Sequence, residues 1–75
     1  MENQIENILV FATNIKTETD KRNISLVLDE NPAIQQWNID LEDIDCVLRI
    51  VSDTLSEEEI IKTIKSMDFK CFPLD

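Results

Sequence analysis

The feature that most constrains this 75-residue chain is the order in which its hydrophobic period changes. Residues 5–13, IENILVFAT, are apolar and β-rich. Ile8, Val10 and Ala12 fall on one strand face and Leu9, Phe11 and Thr13 on the other. Residues 18–30 switch to a helical period, with Ile24, Val27 and Leu28 at i, i+3, i+4. Thr17 or Thr19 offers a hydroxyl cap at the start, and Pro32 disfavours helix at Asn31, so the helix should stop near Asp29 or Glu30. Residues 35–41, QQWNIDL, alternate, with Trp37, Ile39 and Leu41 inward and Gln36, Asn38 and Asp40 outward. An acidic turn follows, then the strand 46–51, CVLRIV. There Arg49 marks the wet face, so Cys46, Leu48 and Ile50 face the core.

Ser56-Glu57-Glu58-Glu59 reads as a capping box. The serine hydroxyl accepts from the third helical amide, and three carboxylates meet the positive end of the helix dipole. Ile60, Ile64 and Met67 continue the stripe, and FKCFPL closes the chain as a short strand weakened by Pro73. The order β-α-β-β-α-β, taken with right-handed crossovers, predicts a ferredoxin-like α+β domain. Its antiparallel sheet has strand order 4-1-3-2, with both helices on one face. Residues 1–75 are read as one such domain.

Size and charge narrow the function. A chain this short buries only about 60% of its unfolded surface, so it gains from any partner. A hydrophobic fraction of 43% supports a folded core. No apolar run reaches the roughly 18 residues of a membrane helix, and no basic segment leads an apolar one, so a cytoplasmic protein without a signal peptide is expected. The net charge of −9 argues against nucleic acid and anionic membranes, both of which demand clustered Lys and Arg. There is no histidine, hence no Ser–His or Cys–His pair, and no enzyme activity or cofactor is expected. Cys46 and Cys71 are neither a CxxC nor a disulfide framework. On strands flanking the first they would stand about 9–10 Å apart, and two buried free thiols are expected. Asp40, Glu42, Asp43 and Asp45 lack EF-hand spacing and read as a solvated hairpin tip.

Two stretches carry a family resemblance. LDENPAIQQWNIDL is similar to the L-x-x-x-P-G-V-x-x-V-x-V-D-L segment of the heavy-metal-associated domains, the small domains of copper chaperones and metal-pumping ATPases. LSEEEIIKTIKSMDFKCFPL resembles their closing S-x-x-x-I-x-x-x-I-x-x-x-G-[YF] segment. The resemblance implies the same ferredoxin-like fold, and it places the family's M-x-C-x-x-C metal motif in the loop IKTETD. Ile15 falls at the Met position, and Thr17 and Asp20 fall at the two cysteines. Copper(I) needs soft sulfur ligands, so this reads as a metal loop without its ligands. Asn14, Ala33 and Asp68 stand where the family often has glycine, which this chain lacks entirely. Asn and Asp are the residues that best tolerate the left-handed conformation after glycine.

What remains is the sheet face away from the helices. Leu9 and Phe11, Val47 and Val51, and Phe72 with Leu74 are expected there as a contiguous apolar patch, the mark of an interface with a second copy or a protein partner. The leading expectation is a metal-free interaction module. The alternatives are a residual copper or zinc protein drawing on Cys46 or Cys71, and a small-molecule-sensing domain like the ACT domains, which share this topology but rely on a glycine-bearing loop.

Overall fold

The computed structural model describes residues 8–74. Residues 5–7 of the first predicted strand lie outside that range. The elements are β1 (Ile8–Thr13), α1 (Glu18–Leu28), β2 (Gln36–Asp40), β3 (Val47–Val51), α2 (Glu57–Lys65) and β4 (Cys71–Pro73). The sheet is antiparallel throughout and ordered β2-β3-β1-β4, which is the expected 4-1-3-2 read from the opposite edge. One core cluster joins Ile24 and Leu28 of α1 and Ile60 and Ile64 of α2 to Phe11, Ile39, Leu48 and Ile50 of the sheet. Both helices therefore cover the same face. No helix of the described residues is long and apolar enough to cross a membrane.

The helix ends follow from local chemistry. Ser56 and Glu59 form the full reciprocal capping box, Ser56 Oγ accepting from the Glu59 amide and the Glu59 carboxylate accepting from the Ser56 amide. At the other end of α2, the Asp68 amide donates to the Lys65 carbonyl and the Phe69 amide reaches back to Ile64, with Asp68 at φ 68. This pair of bonds is a Schellman motif, which usually takes glycine at its left-handed residue, and here an aspartate fills that place. Of the three residues standing at glycine positions, only Asp68 adopts positive φ. Asn14 and Ala33 do not, and the second left-handed residue is Cys46, at φ 45. Val27 departs from the expected stripe on α1: it is exposed, and Ile24 and Leu28 alone are buried.

One strand faces the other way from expectation. Leu9 pairs with Ile50 and Phe11 with Leu48, and directly opposed residues share a face. Leu9 and Phe11 therefore point toward the helices. Phe11 is 0% exposed within the main cluster, and Leu9 packs against it. The physical reason is that β1 is apolar on both faces, so its alternation carries no polar phase to orient it. Ile8, Val10 and Ala12 take the open face instead.

Candidate functional site

The loop after β1 joins the sheet to α1 and holds the residues aligned with the metal motif of the resemblance. Ile15 is fully buried and belongs to the core cluster, so it cannot reach a ligand at the loop. Thr17 is the N-cap of α1: its Oγ1 accepts from the Asp20 amide at 3.0 Å. Asp20 returns the favour one residue earlier, its Oδ2 accepting from the Lys16 amide at 3.3 Å. The two side chains at the cysteine positions of the resemblance thus satisfy backbone donors at a helix start, which would otherwise be orphaned. Glu18 and Thr19 are exposed. No group of three or more potential metal ligands occurs among the described residues. The expected outcome of titrating the reduced protein anaerobically with Cu(I) or Zn(II) against a competing chelator is failure to compete; stoichiometric capture would return Cys46 and Cys71 to consideration.

Those cysteines are both free and buried, and they flank the end of β1 on opposite sides. Cys71 pairs with Thr13 across β4, and on the other side Thr13 Oγ1 donates to the Cys46 carbonyl at 2.7 Å. The intervening strand keeps them apart. Desolvation pushes the Cys71 thiol up to about 11, with the Lys65 ammonium pulling weakly the other way, so it is a poor nucleophile.

The acidic turn is held by its own groups. Asp40 Oδ1 accepts from the Glu42 amide and Asp43 Oδ1 from the Asp45 amide, and the Cys46 amide closes onto the Asp43 carbonyl. Trp37 packs partly buried against the core, as its alternation implied, and its indole N–H donates to Asp29 Oδ1 at 2.7 Å, tying β2 to the end of α1. Two open depressions stand out among the described residues. One of about 270 Å³ is lined by Glu18, Lys21, Arg22, Ser25 and Trp37. The other, about 230 Å³, lies over β2, β3 and β1 beside Gln36, Asn38 and Arg49. In the first, Ser25 Oγ is engaged, donating to the Arg22 carbonyl at 2.7 Å, and the second is lined by no hydroxyl or thiol.

The open sheet face is the remaining feature. The register builds it in rows: Gln36, Val51 and Ile8; then Asn38, Arg49 and Val10; then Asp40 and Val47, with Ala12 beside Phe72. Leu74 extends the second row, its amide donating to the Val10 carbonyl. Val47, Val51 and Phe72 lie on this face as expected, whereas Leu9 and Phe11 do not. Phe72 is 57% and Ile8 53% exposed, while Val47 is only 6% exposed although it stands outside the helix-side cluster. Sequence reasoning missed two other residues. Ser52 is fully buried, its Oγ accepting from the Thr54 and Leu55 amides, and Ile44 stands 93% exposed in the acidic turn. Ile44 is an apolar residue among four carboxylates, a signal that was readable but hidden by the composition around it.

The class that fold and site define is a small α+β domain, one sheet face covered by two helices and the other open and largely apolar. No family model matches the chain, and no curated protein is significantly similar to it.

Proposed function

We propose that this protein is a non-catalytic interaction module of ferredoxin-like fold, a metal-free relative of the heavy-metal-associated domains, acting through its open sheet face. The observation that supports this reading is the face itself. Among the described strand residues it carries one cation, Arg49, and one anion, Asp40, in a chain of net charge −9, and its β1–β4 half is apolar. Contiguous apolar surface of this kind marks an interface on a small domain. The capped state of Thr17 and Asp20 supports the metal-free part of the reading.

A photo-crosslinking residue at Val10 or Phe72, compared with one at the exposed Glu58 of α2, tests it in cells that make the protein. A discrete adduct from the sheet positions, absent from position 58 and lost on Ile8→Glu, is the expected result. An adduct of twice the chain's mass would identify a second copy as the partner. Equal, diffuse labelling from all three positions would remove the sheet-face reading.

A further inference from the structure

The open face also carries information about what docks there. A second copy fits it poorly. Four strands at about 4.8 Å spacing and roughly 17 Å long give a footprint near 19 by 17 Å, or about 300 Å². Stable dimers of whole domains bury about 800 Å² per partner, well beyond this footprint even with side-chain relief added, so the face suits a short segment bound transiently. Arg49 also sits in the middle row between Asn38 and Val10. A two-fold axis through the centre of the face sets that guanidinium against its own counterpart or against the other copy's valine, and each chain brings a net charge of −9.

The charge around the apolar half points elsewhere. Ile8, Val10 and Ala12 along β1 and Phe72 and Leu74 along β4 form a strip bounded by Arg49 on the β3 side. At the Ala12–Phe72 end of that strip the Thr13 amide bonds to the Asp45 carbonyl, which fixes the β2–β3 turn beside it. This turn presents Ile44 at 93% exposure between Asp43 and Asp45, with Asp40 and Glu42 adjoining. An isoleucine held out in water by a turn with its own internal hydrogen bonds has no role within the fold. An apolar strip beside a turn that exposes an isoleucine between two aspartates is complementary to one kind of surface: apolar on one side, basic at the edge.

We propose that the β1–β4 half of the open face, together with Ile44, docks a basic amphipathic segment of another protein. Apolar residues of the segment lie on Val10, Phe72 and Leu74, and its lysines or arginines meet the Asp43 and Asp45 carboxylates. This inference rests on the sheet-face reading above, and it is separable from it by experiment.

The test is an NMR titration of the ¹⁵N-labelled full chain with three synthetic peptides of equal length: a Lys/Leu amphipathic helix, a Lys/Ser peptide of the same charge, and a Glu/Leu amphipathic helix. Glu57, Glu58 and Glu59 at the start of α2 serve as an internal control, an acidic cluster with no exposed apolar neighbour comparable to Ile44. The expected result is that the Lys/Leu peptide shifts the amides of Val10, Ala12, Ile44 and Phe72 and leaves the α2 start unmoved. It should bind at least about tenfold more tightly than either control. Ile44→Ser and Phe72→Ser should each weaken it by about fivefold or more, and Asp43→Asn with Asp45→Asn should flatten its salt dependence. Equal binding of the Lys/Ser peptide, or equal shifts at Glu57–Glu59, would overturn the proposal as unspecific charge attraction. Equal binding of the Glu/Leu peptide on the same amides would overturn the charge selection while leaving the sheet face as a docking surface. Shifts of those amides that depend on protein concentration alone would overturn it in favour of a second copy, and absence of any shift on the strip would overturn it outright.

Discussion

Phe11→Ala should cost about 3–5 kcal/mol, while Val10→Ala, its immediate neighbour, should cost about 1 kcal/mol or less. The contrast follows from the register of β1. Phe11 stands opposite Leu48 and is sealed under both helices with Ile24, Leu28, Ile60 and Ile64, so truncating it removes a large buried ring and leaves a cavity. Val10 faces the open side, where the lost methyl groups were never enclosed by a helix. A chain of 75 residues has a total stability of roughly 4–11 kcal/mol, so the first change takes much or all of it. Urea unfolding followed by circular dichroism reads both. A costly Val10→Ala beside a mild Phe11→Ala would mean that β1 sits with its faces exchanged, and the docking strip would then have to be redrawn through Leu9 and Phe11.

The second large effect is alkaline destabilisation through Cys71. Its thiol is raised by burial from an ordinary value near 9 to about 11. The folded state therefore holds this proton more tightly than the unfolded chain does. That contribution is complete below about pH 9 and is lost as pH rises toward about 11, a loss of roughly 2–3 kcal/mol from this one group. Other groups also titrate at alkaline pH, so the comparison is with Cys71→Val, which keeps the buried volume and has no proton to lose. Between pH 8 and pH 11 the wild-type urea midpoint should fall further than that of the variant. Parallel curves would show that the thiol at the start of β4 is not desolvated in the folded protein.

Where the sequence spoke clearly, it did so through contrast between neighbouring residues. Arg49 among CVLRIV and the Gln-Asn-Asp alternation around Trp37 and Ile39 each supply a polar phase, and β3 and β2 face as those residues imply. Ser56 with Glu59 is a self-contained signal, since the atoms that satisfy the helix start are all within one turn. The strand ILVFAT has no such contrast, so its facing is decided by pairing with Leu48 and Ile50 across the sheet, information no local window holds. The same limit explains Cys46, whose left-handed backbone is fixed by the turn at Asp43 and the Thr13 hydroxyl rather than by its own side chain. Ser52 is a different case: the two amides it meets are two and three residues on, a local serine turn whose burial alone was not legible. Of the surface patch, Val47, Val51 and Phe72 could be placed because their strands were oriented. The β1 contribution could not, and it came out as Ile8, Val10 and Ala12.

The paired cap at the start of α1 sets a stability cost on any change at positions 17 and 20. Thr17 and Asp20 tie down the same turn that a thiolate pair would have to leave free for an ion. A variant with cysteines at 17 and 20 would carry a weaker helix start, by about 1 kcal/mol for the lost threonine cap, and would recover it only while metal was bound. For the chain as it stands, a change to cysteine at 17 or 20 would therefore be opposed at its first step. The loop is in that sense set against an ion: each side chain that improves the empty state makes an occupied state harder to reach.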